Sequence, residues 1–155
     1  MPVAIRSAEL NDVPAIIAVE QQAPSAAHWT SAQYNKLLES GVVLVAEVAA
    51  ETAAGDKGQL CGFVCAQVIA GEWEIENLVV ASEFRRHGIA SGLVRELIVR
   101  ANRESASAIL LEVRESNLPA RAFYESHGFR AVGRRNVYYA GPVEDAILYV
   151  LRFDR

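Results

Sequence analysis

The chain has 155 residues, 52% of them hydrophobic and 22% charged, with a formal net charge of −4. That length fits one domain, 1–155, able to bury about two-thirds of its unfolded surface. The composition excludes disordered and collagen-like chains, no apolar run reaches the roughly 18 residues of a bilayer span, and the acidic balance argues against non-specific nucleic-acid binding.

Residues 3–6 read as an edge strand. Asn11 or Asp12 is the expected cap of a first helix, with Pro14 in its first turn and Ile16, Ile17 and Val19 on its apolar side. Thr30 or Ser31 is the expected cap of a second helix holding Tyr34, Leu37 and Leu38, which stops at Gly41, a natural residue just past a helix end. Residues 42–48 are rich in β-formers. A polar, Gly-containing hairpin loop is predicted at 51–59. Strands at 60–70 and 72–80 flank Gly71, and Glu72, Glu74 and Glu76 alternate with Trp73 and Ile75 as on a half-exposed strand. A helix at 87–103 sets Ile89, Leu93, Leu97 and Ile98 on one face. A buried strand follows at 108–113. A helix from Pro119 through His127 is capped near Asn117 and ended by Gly128. Strands at 129–139 and 145–153 lie either side of Gly141 and Pro142. The order β-α-α-β-β-β-α-β-α-β-β predicts a mixed α/β domain without a linker.

Met1 to Arg6 holds no long apolar stretch, so no secretory signal is expected there and the protein reads as a cytoplasmic monomer. Cys61 and Cys65 lie four apart on one predicted strand, pointing to the same face, and read as two reduced, buried thiols rather than a zinc or disulfide pair. Charge is unevenly placed. Residues 1–79 hold three cations against ten carboxylates, and residues 80–155 hold twelve cations, all Arg, against nine. An acidic front and an Arg-rich back suit an enzyme that holds an anionic cofactor and receives a cationic substrate.

The most informative segment runs from the strand around Ile75, Glu76, Asn77, Leu78, Val79 and Val80 into Arg85, Arg86, His87, Gly88, Ile89 and Ala90. A strand enters a short turn with two arginines and a glycine, and an amphipathic helix starts at once. A helix N-terminus offers unpaired N–H groups and the positive end of the dipole. Glycine there lets an anion approach the backbone closely, and the arginines suit phosphate oxygens. The segment reads as a pyrophosphate cradle. No Lys follows Gly88 as in a nucleotide-triphosphate loop, and the G-x-G-x-x-G glycines of a dinucleotide site are absent. A second constellation surrounds Glu112, a charged residue among Leu110, Leu111 and Val113. Asn117 and Tyr124 follow on a helix that must pack beside that strand, bringing a carboxylate, an amide and a phenol near the cradle.

The R-R-x-G-x-A spacing resembles the acetyl-coenzyme A loop of the GNAT family of N-acetyltransferases, Q/R-x-x-G-x-G/A. The run L-E-V-R-x-S-N-x-x-A-x-x-x-Y-x-x-x-G-F resembles the ribosomal-protein-alanine N-acetyltransferase (RimI-type) branch of that family, as do R-R-N-x-Y-Y (Arg134, Arg135, Asn136, Tyr138, Tyr139), Glu144-Asp145-Ala146 and Trp29. The branch usually has Gln where Arg85 stands and a second Gly where Ala90 stands. The resemblance implies a single-domain fold with a mixed, mostly antiparallel central sheet flanked by helices. It further implies that Leu78, Val79 and Val80 give backbone hydrogen bonds to the pantetheine arm of acetyl-CoA. Arg85, Arg86, His87, Gly88, Ile89, Ala90 and Ser91 hold the pyrophosphate, and Asn117 contacts the cofactor. Glu112 is the general base and Tyr124 the general acid that protonates the departing thiolate of CoA. Trp29, Glu76, Tyr138 and Tyr139 are expected around the substrate, and Glu74, Glu76 and Glu144 would attract a basic peptide.

The chemistry suits those residue types. An α-amine has a pKa of about 8, so a carboxylate acting directly or through water can take its proton near neutrality. A thiolate leaving group, from a thiol near about 8.5, can take a proton from a Tyr hydroxyl at about 10. A backbone N–H near Val79 or Val80 can polarise the acetyl carbonyl. No covalent acyl-enzyme is needed, and no metal is called for. The expected activity is acetylation of the N-terminal α-amine of a ribosomal protein, Ala-starting and from the small subunit. A small-amine acetyltransferase of the same fold and a non-catalytic acetyl-CoA sensor are the alternatives.

Overall fold

The computed structural model describes residues 2–24, 26–49 and 58–154. Seven strands form one sheet: β1 (Val3–Ser7), β2 (Val42–Val48), β3 (Gln59–Ile69), β4 (Glu72–Val80), β5 (Ala108–Arg114), β6 (Arg130–Ala140) and β7 (Val143–Arg152). Four helices accompany them: α1 (Val13–Glu20), α2 (Ser31–Ser40), α3 (Ile89–Arg103) and α4 (Leu118–Ser126). The strands lie in the order β1-β2-β3-β4-β5-β7-β6. Every neighbouring pair is antiparallel except β4 and β5. This is the mixed, mostly antiparallel sheet with flanking helices expected from the sequence. The predicted hairpin loop at 51–59 falls mostly outside the described residues.

Each face of the sheet has its own core. On one, α3 and α4 bring Ile89, Leu93, Val94, Leu97 and Tyr124, joined by Phe129 just past α4, against Leu44, Val64, Trp73, Ile109, Leu111 and Val113. On the other, α1 and α2 bring Val13, Ile16, Val19, Tyr34 and Leu37 against Val43, Val45, Phe63 and Val79. Leu93 and Leu97 are fully buried, and burial of each contributes about 1.5–3 kcal/mol. The apolar stripe of α3 therefore fixes where its N-terminus points.

The helix ends follow the sequence with two corrections. Thr30 caps α2, accepting from the Gln33 N–H at 3.2 Å while Gln33 Oε1 accepts from the Thr30 N–H at 2.7 Å. Asp12 holds the cap position of α1 without capping it. Its carboxylate turns back to the Glu9 N–H at 2.7 Å and to Arg6 at 2.8 and 3.0 Å, because a short 3-10 turn (Leu10–Asp12) precedes the helix. Gly41 ends α2 in extended backbone, φ −129°, not in the left-handed conformation. Glycine is needed there for room: a Cβ would lie 2.5 Å from the Ala66 carbonyl oxygen.

One-residue bulges in β3 and β4 change which way their side chains face. Ala46 pairs with Gly62 and Glu47 with Leu60, leaving Cys61 unopposed. The slip reverses the facing of β3, so Cys61 packs in the α3 core and Cys65 in the α1–α2 core. The two thiols are free and buried as expected, but on opposite faces, because a bulge breaks the period of two. In β4, Asn77 pairs with Cys65 and Ile75 with Ala66, so Glu76 is the extra residue. A bulge bends its strand. Beyond it β4 leaves β5: the parallel ladder joins only Glu72, Trp73 and Glu74 to Ala108, Ile109 and Leu110.

Candidate active site

After β4 a 3-10 turn (Ser82–Phe84) leads through Arg85, Arg86 and His87 to Gly88, the N-cap of α3. Gly88 has φ +74°, and a Cβ there would meet no protein atom within 4 Å. Arg86 also has a positive φ, +66°, which costs a residue with a side chain about 1–2 kcal/mol. Such strain is concentrated at ligand clamps, where successive N–H groups are turned to one side. Ile89 is anchored in the core, leaving the first-turn N–H groups of Ile89, Ala90 and Ser91 without helical acceptors. Arg85, Arg86 and His87 are exposed, and Arg85 Nε donates to the Val80 carbonyl at 3.4 Å. The Ser91 hydroxyl lies 3.1 Å from His127 Nε2, tying the end of α4 to the start of α3.

The gap between β4 and β5 continues the cradle. Leu78, Val79 and Val80 pair with β3 on one side and, among the described residues, have no strand partner on the β5 side. Leu78 and Val80 pack toward α3, and Val79 toward α1 and α2. What remains along the gap is backbone, suited to an extended arm carrying amides.

Glu112 stands on β5 just past the last residue paired with β4. Leu111 and Val113 enter the α3 core, so Glu112 projects to the opposite face. Its side chain is 12% exposed, with Oε1 3.1 Å from Arg135 Nε. Oε2 is buried and has no hydrogen-bond donor among the described residues. Such an atom is rare and calls for an explanation. Around it stand Glu74, Glu76, Tyr138 and Tyr139. Burial, then the charges of Glu74 and Glu112, push the Glu76 carboxyl up to about 7, while Gln67 Nε2 donates to it at 3.0 Å. The Glu112 charge is the main cause raising the Tyr138 phenol, and burial the main cause raising that of Tyr139.

A wide bulge in β6 places the two tyrosines. The register slips between Arg135 and Tyr139, and Val137 adopts φ +52°, unusual for a β-branched residue. Asp145 holds the bulge, accepting from the Val137 N–H and from Arg134, each at 2.7 Å. Arg114 lies over the Tyr139 ring at 4.2 Å and Arg135 over Tyr138 at 5.1 Å. Glu144, expected to attract a peptide, is engaged internally: it accepts from the Ser116 N–H at 2.5 Å and from Arg114 at 3.4 Å.

Tyr124 lies on the other face, 8% exposed, with its ring edge-on to Phe123 and Phe129. Burial raises its phenol, so it keeps its proton throughout the neutral range. It has no hydrogen bond to Glu112 among the described residues, and the two stand on opposite faces of the sheet. Asn117 caps α4, its Oδ1 accepting from the Ala120 N–H at 3.2 Å, which leaves its NH₂ as the donor for any further contact. Trp29 packs on Tyr34 at 5.7 Å in the loop between α1 and α2.

Sequence reasoning overlooked Glu20 and the role of Asn77. Glu20 is 2% exposed and Asn77 7%. Glu20 continues the stripe of Val13, Ile16 and Ile17 at helical spacing, the signal that marks it as inward-facing. Among the described residues no cluster of His, Cys, Asp and Glu is arranged to hold a metal, and no helix is long and apolar enough to cross a membrane.

Comparison with known proteins agrees with this geometry. The model of the acetyltransferase (GNAT) family matches residues 15–129. The ribosomal protein bS18-alanine N-acetyltransferase of Escherichia coli (strain K12) is 31% identical over 153 residues, covering 95% of each chain. The crystal structure of the ribosomal-protein-S18-alanine N-acetyltransferase from Escherichia coli superposes with a TM-score of 0.84 at 29% identity, covering 99% of this chain and 96% of that one. Arabidopsis thaliana NAA60 in complex with acetyl-CoA shares the fold at a TM-score of 0.87 and 20% identity, covering 98% and 100%. This chain belongs to the acetyltransferase (GNAT) family and is an acetyltransferase.

Proposed function

We propose that this GNAT-family enzyme transfers the acetyl group of acetyl-CoA directly to the α-amine of a protein N-terminus, the Ala-starting end of a small-subunit ribosomal protein. The observation that carries the reading is Glu112 Oε2, a buried acceptor without a donor among the described residues, standing where β4 and β5 part. The similarity to the bS18-alanine N-acetyltransferase of Escherichia coli, over nearly the whole of both chains, supports that substrate class.

The residues present fit acetyl-CoA. The space beside Gly88 is open to a phosphate oxygen, the first turn of α3 offers N–H groups, and Arg85 and Arg86 supply positive charge. The β5-facing edge of β4 along residues 78–80, without a strand partner there among the described residues, offers strand-like hydrogen bonds to the pantetheine amides. Bound there, the thioester supplies the acetyl group, and the thiol leaves. Glu112 accepts the proton of the incoming amine, and the nearby Glu76 and Glu74 favour an approaching cation. Tyr124 holds its proton until the sulfur needs it. A backbone N–H on the β5-facing edge of β4 would be available to polarise the acetyl carbonyl. The acceptor side is open: Tyr138 is 50% exposed and β6 is exposed along most of its length. That shape suits a chain end better than an enclosed small amine.

Thiol release with acetyl-CoA and a panel of acceptors tests the reading. The panel holds an Ala-Arg-start peptide, its N-terminally blocked form, an internal-Lys peptide and a polyamine. Turnover with the free Ala terminus alone is expected. Turnover with the polyamine alone moves the enzyme to small-amine chemistry, and binding of acetyl-CoA without turnover on any amine supports a sensor.

A further inference from the structure

The buried carboxylate at the end of α1 is not used by the mechanism above, and its surroundings assign it a task. Glu20 sits at a helix C-terminus, the negative end of the dipole, inside an apolar cluster. Burial and position both disfavour a carboxylate there unless donors surround it. All the donors come from the segment that follows. The Trp29 N–H reaches both carboxylate oxygens at 3.2 Å, the Tyr34 hydroxyl donates to Oε2, and His28 Nδ1 lies 3.3 Å from Oε1.

A second tie meets the same loop from the sheet. Asn77 Nδ2 donates to the Ala27 carbonyl at 2.9 Å and lies 3.5 Å from the Tyr34 hydroxyl. Asn77 follows the bulge at Glu76 and directly precedes Leu78, within the part of β4 past Glu74 that has no β5 partner among the described residues. The Tyr34 hydroxyl therefore joins the two ties, and its ring supports Trp29. The backbone of the α1–α2 loop is held at Ala27 by the sheet and at Trp29 by α1.

We infer that Glu20, Tyr34 and Asn77 are positioning residues that clamp the Trp29 loop against β4 and so set the affinity for the acceptor amine, without contributing to acetyl-CoA binding. The inference rests on the reading of this face as the acceptor side. Tyr34→Phe keeps the buried ring, edge-on to Phe63 at 5.9 Å, and removes only the hydroxyl. Asn77→Ala and Glu20→Gln remove the other two members.

The test measures each variant as the full-length enzyme. Losing one buried hydrogen bond corresponds to roughly a three- to tenfold effect. Tyr34→Phe and Asn77→Ala are therefore expected to raise the peptide KM by that factor, with kcat and the acetyl-CoA KM held within about twofold. The double variant should cost less than the product of the singles, since they share Tyr34. An unchanged peptide KM overturns the clamp, as does a parallel fall in kcat and acetyl-CoA affinity. Amide hydrogen exchange decides the matter without turnover: uptake in the 26–30 segment should rise in both variants while β2 and β3 stay protected. Unchanged uptake overturns the clamp. If wild-type enzyme acetylates no peptide but the exchange result holds, it is the acceptor reading that fails.

Discussion

The two faces of the β4–β5 gap are built by different means. The proposed cofactor side, at the start of α3, presents mostly backbone: a left-handed glycine, a strained Arg86, first-turn N–H groups and a strand edge without a β5 partner among the described residues. The proposed acceptor side presents side chains: Glu112, Glu76, Glu74, Tyr138 and Tyr139, with bulges in β4 and β6 beside them. Backbone recognition tolerates many neighbouring residues and constrains a few conformations. Side-chain recognition depends on where a handful of atoms are held, and changes to those atoms should be felt first in acceptor use.

The largest expected effect separates the two faces outright. Glu112→Gln should lower kcat by about 10²–10⁴, the usual range for a lost general base, while acetyl-CoA affinity by calorimetry is unchanged. Equal loss of cofactor affinity would erase the distinction between the faces. Tyr124→Phe should lower kcat by roughly 10², read by thiol release at saturating substrates.

Next is the cradle. Gly88→Val places a β-branched residue at φ +74° and costs about 1–2 kcal/mol, so acetyl-CoA should bind roughly five- to thirtyfold more weakly. The peptide KM should stay as it is. A fall confined to peptide binding would put the cradle on the wrong side.

A smaller effect concerns pH. The Glu76 carboxyl is raised to about 7, first by burial and then by Glu74 and Glu112. Below that value it is neutral and attracts a cation less. The KM for a basic peptide should therefore fall as pH rises through about 7, and Glu76→Gln should flatten the profile. Stability runs the other way. A carboxyl raised above its ordinary 4.5 favours the fold most at low pH, and that contribution is lost as pH rises toward about 7. Melting temperatures of the two proteins across this window check the sign. The smallest effect is at Arg86→Ala: an exposed cation contributes little, so a two- to fivefold, salt-sensitive loss of cofactor affinity is expected, on the order of a surface charge contact.

The strand-to-helix junction before α3 was legible in the sequence because its features are local. A glycine at a strand-to-helix junction, two arginines before it and a stripe at 89, 93 and 97 all lie within a few turns of chain. The element order and most strand limits were legible for the same reason, through periodicity. The acceptor face was less so. A bulge is one residue's slip between two strands, and the run around Cys61 to Ala66 is so uniformly apolar that no phase change shows in it. Hence the cysteines were expected on one face. The bulge that carries Tyr138 depends on Asp145 reaching the Val137 N–H across a hairpin, a contact no window of sequence displays. Glu20 at a helix end looks like ordinary surface until Tyr34, Trp29 and His28 are brought around it.

The parting of β4 from β5 also has a mechanical side. Past Glu74 and Leu110 the sheet is two half-sheets, β1 to β4 and β5 to β7, hinged on a short ladder and roofed by α3. An extended ligand lying in that seam supplies the rungs that the strands do not share. A ligand that binds only the folded chain adds about 2.7 kcal/mol at a hundredfold excess over its Kd. Here the gain should be distributed unevenly, as slowed amide exchange along 75–80 and 111–114 rather than over the whole chain. On the proposed reading, a ligand in the seam would bridge the two half-sheets, and its departure would leave them joined by the short ladder alone.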